Sequence, residues 1–327
     1  MKSYAKILAA FAFAAVVAGN SALAQTPLSL RLDWSVYGTH AAFYYGIDRG
    51  LYKAEGIDLS VGEGSGSGTT ARLLAQGTDP VAFIDFGTLA KGIGSGMPIK
   101  AIFGVHQRSP MAIISHANAP IRTPQELEGK VIAMAPAEST AQMFPVLLSA
   151  AKLDPAKVSV LSPAAGAKVA LFLQRRVDAI TGVTYFHLPT FERDKVAVHY
   201  FTYGDFGVSA LEGGVAANDA WLAANPELAR KFVKATQTSF LAAKSNPTAA
   251  VDALIKLRPE QARNRESLIR QLQISMESTS TAATAGMPFG RMAERDWQQM
   301  VDQLVESKQV PAPIPLDRLF TNAFVGD

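Results

Sequence analysis

The 327-residue chain contains no cysteine, and this absence excludes several kinds of chemistry. No disulfide can brace the fold, and no thiolate is available as a catalytic nucleophile. The five histidines, at positions 40, 106, 116, 187 and 199, form neither an HExxH motif nor another paired metal spacing. A G-x-S-x-G motif for a serine nucleophile is also missing. We therefore predict that the protein holds no metal ion and no cofactor.

Charged residues are of mixed sign, and no run of basic residues occurs. The chain has 31 Lys and Arg against 28 Asp and Glu, a formal net charge of +3. Nucleic-acid binding requires a clustered basic face, so we predict no nucleic-acid partner. Long apolar runs are scarce as well, because no segment reaches the about 20 residues that a membrane-spanning helix needs.

The first 24 residues have the pattern of a secretory signal peptide. Lys2 and Lys6 supply a positive start, Ile7 to Ala18 is apolar, and Ala22-Leu23-Ala24 matches an A-x-A cleavage site. A buried N-terminal helix is the alternative interpretation. We predict export to the periplasm and cleavage after Ala24, and the absence of a cysteine at the new N-terminus predicts no lipid anchor.

Beyond this segment, short apolar strands alternate with helical stretches in two successive blocks. After Gly213-Gly214 a last strand leads into an almost entirely helical end. The alternation predicts an α/β fold with mostly parallel sheets flanked by helices. If the chain returns to complete its first block, two lobes are joined by crossings near Val105–Ser115 and Tyr203–Gly214. Residues 25–108 and 210–327 then form lobe 1, and residues 109–209 form lobe 2.

Several element boundaries can also be predicted. Proline in the first helical turn predicts helices over Pro226–Ser245, Pro247–Leu257 and Pro259–Ser275. At the start of the exported chain, the pattern predicts a strand over Leu28–Trp34 and one helix over Thr39–Lys53.

Candidate binding residues follow from the position of strand ends. In open α/β sheets, ligands lie outside the carboxyl ends of the strands, near helix N-termini. Each candidate has a structural alternative: a core position for Trp34, helix capping for Asp85 and Glu138, and a flexible turn for the glycine-rich loop. The residues that this rule selects are Asp33, Trp34, Ser65, Gly66, Ser67, Asp85, Phe86, Glu138, Ser139 and Tyr185.

The glycine-rich loop also supports an enzymatic rival. Gly66 to Ala71 fits G-x-G-x-x-A after a strand, and Asp85 falls roughly where a ribose-binding acid is expected. A secreted dinucleotide-dependent oxidoreductase is therefore the alternative from another class. The loop follows the second strand rather than the first, and this signature is weak by itself. We predict a binding protein and not an enzyme.

Six motifs in order carry a family resemblance. They are "DW…H…FYYGIDRGLYKAEGIDL", "ARLLAQGTDPVAFIDFGTL", "IKAIFGVHQRSPMAIIS", "RTPQELEGKVIAM", "LQRRVDAITG" and "NPELARKFVKATQTSFLAA". Together they resemble the periplasmic solute-binding proteins of ABC importers, in the branch of the nitrate, sulfonate and taurine binders and the binders of thiamine pyrimidine precursors. The resemblance implies a type II-like fold of two lobes, a two-crossing hinge and a ligand in the cleft. Fungal pyrimidine-precursor synthases share this fold but carry a cysteine-rich segment, which is absent here.

The resemblance also implies partners and further site residues. It places His40, the histidine that follows "DW", and Tyr37 in the cleft, and it makes Tyr185 an aromatic contact. Arg108 and Lys168 are the nearest cationic candidates by family position. The implied partners are a small-molecule ligand and an inner-membrane ABC permease, with the protein acting as a monomer.

The candidate residues favour one class of ligand. A flat ring rich in N–H donors suits the aromatic Trp34 and Tyr185 and the acids Asp85 and Glu138. Carboxylates would repel a small anion, by about 1 kcal/mol at 4 Å even in bulk water. We therefore predict a pyrimidine-like or related heterocycle, with a sulfonate, taurine, nitrate or an aromatic carboxylate as the alternative.

Overall fold

The computed structural model describes residues 25–164, 166–209 and 211–326. The predicted signal peptide, residues 1–24, lies outside the described residues. The strands are β1 Thr26–Arg31, β2 Ile57–Gly62, β3 Val81–Asp85, β4 Ile99–His106, β5 Met111–His116, β6 Val131–Ala133, β7 Ser159–Leu161, β8 Ala179–Val183, β9 Val198–Thr202 and β10 Gly213–Asn218.

Helices connect these strands and form the C-terminal third of the chain. The α-helices are α1 Ala41–Asp48, α2 Leu51–Ala54, α3 Ser67–Ala75, α4 Phe86–Gly94, α5 Ser139–Ala150, α6 Ala167–Leu173, α7 Thr184–Arg193, α8 Asp219–Ala224, α9 Pro226–Ser245, α10 Pro247–Leu257, α11 Arg265–Ser275, α12 Glu294–Glu306 and α13 Leu316–Leu319. Short 3₁₀ turns lie at Gly38–His40, Pro124–Leu127, Pro155–Lys157, Gly204–Phe206, Pro259–Asn264 and Met276–Ser278. Each helix of the described residues is too short or too polar to cross a membrane.

The strands form two five-stranded sheets with equivalent topology. The first sheet has the order β2-β1-β3-β10-β4 and the second has the order β7-β6-β8-β5-β9. In each sheet four strands run in the same direction and the fourth strand in the order, β10 or β5, runs antiparallel to both neighbours. The predicted α/β class with mostly parallel sheets is therefore confirmed, with one reversed strand in each sheet.

The reversed strands follow from where the chain passes between the sheets. It leaves the first sheet at the carboxyl end of β4 and enters the second after residues 107–110, so β5 starts beside the carboxyl end of β8, where Met111 pairs with Val183. The return is equivalent, because Gly213 at the start of β10 pairs with Asp85 at the end of β3. Strands that begin at this edge must run away from it. The carboxyl ends of the other strands therefore face the gap between the two sheets.

The helical C-terminal region completes the layers of the first sheet. Helices α9 and α10 pack against α1, and α12 and α13 pack against α4. Trp297 of α12 is fully buried, with its ring centroid 5.4 Å from that of Phe320 and 5.0 Å from that of Phe86. The end of the chain therefore supports the elements from which the site is built.

Some predicted boundaries agree with the structure and others do not. The predicted helices Pro226–Ser245 and Pro247–Leu257 coincide with α9 and α10. The single helix over Thr39–Lys53 is wrong, because the left-handed Gly50, with φ of 70°, separates α1 from α2. The strand over Leu28–Trp34 ends earlier, at Arg31, and the first part of Pro259–Ser275 is a 3₁₀ turn.

Candidate functional site

A cavity of about 270 Å³ lies between the two sheets, at the carboxyl ends of their strands. The first sheet contributes the segments after β1 and β2 and the residue before β10. The second contributes the helix starts that follow β6, β7 and β8. The residues that line this inter-sheet cavity are Asp33, Trp34, Ser35, Tyr37, Gly66, Ser67, Glu138, Ser139, Thr140, Gly166, Lys168, Val169, Gly182, Val183, Tyr185, Phe186, His187 and Glu212.

Most residues that the sequence selects are brought together here. Those that line the inter-sheet cavity are Asp33, Trp34, Tyr37, Gly66, Ser67, Glu138, Ser139 and Tyr185. Four others lie elsewhere: Ser65 is exposed, His40 and Asp85 are buried behind the lining, and Phe86 packs against Trp297 in the core. Whether any of the twelve contacts a ligand stays a prediction.

The loop after β1 carries a network that holds Asp33 in place. The Oδ1 atom of Asp33 lies 2.9 Å from Nε2 of His40, and the Tyr37 hydroxyl donates to Oδ2 at 3.3 Å. Gly38 allows this loop to approach α11, since a Cβ there would lie 2.3 Å from the carbonyl oxygen of Leu268. The Gly38 N–H also donates to Oε1 of Gln271 at 2.8 Å. His40 therefore positions Asp33 rather than lining the inter-sheet cavity.

Two tyrosines link the opposite walls. The hydroxyl oxygens of Tyr37 and Tyr185 are 3.5 Å apart and their ring centroids are 5.7 Å apart. The Tyr185 hydroxyl donates to Oε1 of Glu212 at 2.9 Å, and the His106 ring stacks on Tyr185 at 5.2 Å. Burial raises the pKa of both phenols well above the ordinary value, so both stay protonated and remain hydrogen-bond donors.

Asp85 at the end of β3 and Glu212 just before β10 both have strongly shifted pKa values. Burial raises the pKa of Asp85 to about 7, against the lowering effect of its hydrogen bond from the Thr88 N–H at 2.6 Å. Burial, followed by the charge of Asp85, raises the pKa of Glu212 well above its ordinary value. Asp85 is the N-cap of α4, as its structural alternative held, but its Oδ2 atom has no hydrogen-bond partner among the described residues.

The wall from the second sheet carries a buried ion pair. Nζ of Lys168 donates to Oε2 of Glu138, and the two side chains are only 6% and 8% exposed. Burial lowers the pKa of Lys168, while the charge of Glu138 acts in the opposite direction. Glu138 stands at the N-cap position of α5 without a side-chain cap bond, so helix capping does not account for it. In the described part of the chain, its Oε1 atom has no partner.

The glycine-rich loop is pressed against the opposite wall. Gly66 has φ of 127°, and a Cβ there would lie 2.4 Å from the carbonyl oxygen of Ala137. Two N–H groups of the loop donate to backbone carbonyls: that of Gly66 to Asp33 O at 2.8 Å and that of Gly68 to Ala137 O at 3.0 Å. The loop therefore forms a backbone contact between the two walls, beside the cavity.

Several lining residues were missed or only noted by the sequence analysis. Glu212 precedes a strand that starts at the cavity, whereas the strand-end rule searches only after strands. Lys168 could be named in advance only because the family resemblance implies a cation at its position. His187 is buried, its Nδ1 accepts from the Val183 N–H at 3.1 Å, and burial lowers its pKa well below the ordinary value, so it lines the cavity as a neutral ring. A histidine inside a helix carries no sequence signal for such a position.

Comparison with known proteins places the chain in a family. Residues 38–250, more than half of the chain, match the family model described as NMT1/THI5 like. The chain belongs to the NMT1/THI5-like family. The predicted family resemblance is thereby confirmed.

Two relatives of this NMT1/THI5-like chain are named after the compounds that they bind. It is 26% identical over 291 residues to the riboflavin-binding protein RibY of Chloroflexus aurantiacus, covering 87% of this chain and 82% of the relative. It is 22% identical over 338 residues to the formylaminopyrimidine-binding protein of Halalkalibacterium halodurans, covering 98% of this chain and 99% of that relative.

Solved structures show the fold. The alkanesulfonate-binding protein SsuA from Xanthomonas axonopodis pv. citri, bound to MOPS, superposes with a TM-score of 0.72 at 10% identity, covering 90% of this chain and 98% of that one. The NMT1/THI5-like chain therefore has the periplasmic-binding-protein fold, as predicted.

Proposed function

We propose that this protein is the periplasmic substrate-binding component of an ABC transporter, and that it captures a small aromatic or heterocyclic solute by hinged closure of two lobes. One observation carries the proposal: the inter-sheet cavity takes its walls from the carboxyl ends of both sheets. We assign residues 25–108 and 210–327 to lobe 1 and residues 109–209 to lobe 2. The predicted signal peptide, export to the periplasm, a monomeric state and an inner-membrane permease partner belong to the same proposal.

Contacts between elements of the two sheets support closure as the mechanism. Gly68 bonds to Ala137, Lys91 Nζ donates to Gln142 O at 2.8 Å, and Tyr37 stacks on Tyr185. All three join elements of opposite sheets, which only the two crossings connect covalently. A ligand that touches both walls binds the closed arrangement better than an open one, and it shifts the population toward closure.

The chemistry of the lining supports a heterocyclic ligand. Trp34, Tyr37, Tyr185 and Phe186 supply aromatic faces. Among the described lining residues, Lys168 is the sole Lys or Arg, and Glu138 already pairs with it. The surplus of carboxyl groups opposes a small anion. Riboflavin and formylaminopyrimidine, the ligands in the names of two relatives, are flat nitrogen heterocycles.

Two alternatives have less support. A sulfonate, taurine, nitrate or aromatic carboxylate ligand is the second candidate, and the alkanesulfonate-binding SsuA and the nitrate-binding NrtA share the fold. A dinucleotide-dependent oxidoreductase is disfavoured, because three N–H groups of the loop, those of Gly64, Gly66 and Gly68, donate to backbone carbonyls and not to a pyrophosphate. The volume of about 270 Å³ is also just below the roughly 300–1,000 Å³ typical of small-molecule sites, which suits a small ring compound.

A thermal-shift screen of the chain from Gln25 onward tests the proposal. The probes are a formylaminopyrimidine, riboflavin, taurine, an alkanesulfonate, nitrate and NAD. We expect a raised Tm with a heterocycle, since a ligand at 100 times its Kd stabilises by about 2.7 kcal/mol. Trp34→Ala should reduce the rise, while Trp221→Ala, outside the cavity lining, should not. A rise with taurine, sulfonate or nitrate alone would favour the second candidate, and a rise with NAD alone would overturn the proposal.

A further inference from the structure

Two acidic residues are neighbours along the backbone where β3 and β10 pair. Asp85 ends β3 opposite Gly213, and Glu212 immediately precedes that glycine. The N–H of Phe86, the residue after Asp85, donates to the backbone oxygen of Glu212 at 2.8 Å. The two residues are only 4% and 6% exposed, and Glu212 lines the inter-sheet cavity.

Each of the two acids keeps one oxygen without a partner. Tyr185 donates to Oε1 of Glu212, and the Thr88 N–H donates to Oδ1 of Asp85. The remaining atoms, Oε2 of Glu212 and Oδ2 of Asp85, are buried and have no well-aligned hydrogen-bond partner in the described residues, although the Thr88 hydroxyl and the Gly87 N–H lower the pKa of Asp85. Two ionised carboxylates so placed would lack solvation and would repel each other.

The surrounding groups do not supply a compensating cation. His40 pairs with Asp33, which adds another negative charge near both acids. His106 stacks on Tyr185, and burial lowers its pKa to about 3, so it is neutral.

The remaining neighbours are a lysine and a phenol. Burial lowers the pKa of Lys91, and the charge of Asp85 acts in the opposite direction. The Lys91 Nζ atom nevertheless donates to Gln142 O and to Oε1 of Gln309, and not to Asp85. Tyr37 is a buried phenol that stays protonated.

We propose that Asp85 and Glu212 hold one proton between them at neutral pH, and that Glu212, the member of this half-protonated pair that lines the inter-sheet cavity, recognises the lactam or amidine edge of a neutral nitrogen heterocycle with its carboxylic acid group. The protonated Glu212 carboxyl offers an O–H donor and a carbonyl acceptor. A heterocycle edge with an N–H beside a carbonyl or ring nitrogen offers the complementary acceptor and donor. The shared proton stands on the structure alone, whereas the ligand edge rests on the proposed function.

The shared proton should make the affinity for the ligand depend on pH. Because burial raises the carboxyl pKa values, the proton stays bound through neutral pH and is lost as pH rises through the raised value. Affinity for the lactam edge should therefore hold below that value and fall above it. Above it, a doubly ionised pair has no O–H to donate.

The shared proton is tested without any ligand. The chain from Gln25 onward, with ¹³C-labelled Asp and Glu carboxyl groups, is titrated by NMR from pH 4 to pH 9. We expect at least one carboxyl resonance that titrates near or above neutral pH and changes in Glu212→Gln but not in Glu128→Gln, an exposed control. If every carboxyl titrates below about pH 5, the shared proton is wrong.

The ligand edge is tested by calorimetry with riboflavin and its N3-methyl derivative, which lacks the lactam N–H. Riboflavin should bind about tenfold more weakly per pH unit above the apparent pKa of the pair. Glu212→Gln should bind at pH 6 but lose this pH dependence, and the N3-methyl compound should bind at least about tenfold more weakly. Equal affinity for both compounds, or loss of binding in folded Glu212→Gln at every pH, would overturn the proposed edge. Absence of riboflavin binding would also overturn it, and the NMR titration would still decide the proton.

Discussion

At the residue scale, the buried pair of Lys168 and Glu138 allows a sharp test of electrostatics in the site. Lys168→Met leaves the Glu138 carboxylate buried without its cation, which typically costs about 3–5 kcal/mol of unfolding free energy. The double variant Lys168→Met with Glu138→Gln should recover most of this loss, because no unpaired charge remains. Urea unfolding of the chain from Gln25 onward measures both.

The chain offers a matched exposed pair as a control. Nζ of Lys157 lies 3.0 Å from Oε1 of Glu128, and the two side chains are 56% and 46% exposed. Lys157→Met should therefore change the unfolding free energy by only about 0–1 kcal/mol. An equal loss in Lys157→Met and Lys168→Met would show that burial does not govern the effect.

Single residues also show where sequence reasoning reaches its limit. Trp34 and Glu138 were accessible because they follow strands, and the carboxyl ends of parallel strands meet at one edge. Glu212 was not, because the direction of β10 depends on a long-range pairing with β3 that no local pattern encodes. Phe86 follows a strand as well, yet its ring faces Trp297, since the strand-end rule gives position but not side-chain direction.

At the scale of elements, the glycine-rich loop is the contact most sensitive to substitution. Gly66→Ala would place a Cβ 2.4 Å from Ala137 O at a φ of 127°, which a side chain rarely adopts. We expect a loss of about 1–3 kcal/mol in unfolding free energy and weaker ligand affinity, because the clash arises only when the loop meets the opposite wall. Urea unfolding and ligand titration measure the two effects.

Gly77→Ala separates backbone strain from that contact. Gly77 also has positive φ, 73°, but nothing lies within 4 Å of an added Cβ. It should lose about 1 kcal/mol of stability and keep its affinity. If Gly66→Ala behaved the same way, the loop would have no role in closure.

The predictability of the elements depended on local signals. Asn225-Pro226 and Asn246-Pro247 start α9 and α10 as predicted, because proline suits the first turn and no partner element is needed to define it. Within Thr39–Lys53 the apolar pattern continues across Gly50, so periodicity alone overlooked a break that depends on a left-handed backbone. The fold class was predictable from strand and helix alternation, whereas the antiparallel strands were not.

At the scale of the whole molecule, the proposed closure depends on two equivalent sheets and the two crossings between them. Both crossings enter the next sheet at the cavity edge, so the ends of β3 and β8 and the starts of β10 and β5 meet there. A change in the angle between the sheets therefore acts directly on Glu212 and Tyr185. Under the proposed mechanism, this arrangement would couple ligand contacts to the relative position of the proposed lobes.

An engineered lock tests this coupling, and the absence of native cysteine makes it specific. An ideal Cβ on Gly68 lies 3.5 Å from Cα of Ala137, which is compatible with a disulfide between Gly68→Cys and Ala137→Cys. Oxidation before ligand addition should hold the two walls together and slow ligand association at least about 100-fold. Oxidation after binding should slow ligand release, because under the proposed mechanism both steps require the walls to separate. Stopped-flow fluorescence measures both rates, with the reduced double variant and the two single variants as controls. Association at the same rate in the oxidised and reduced proteins would show that the ligand enters without separation of the proposed lobes.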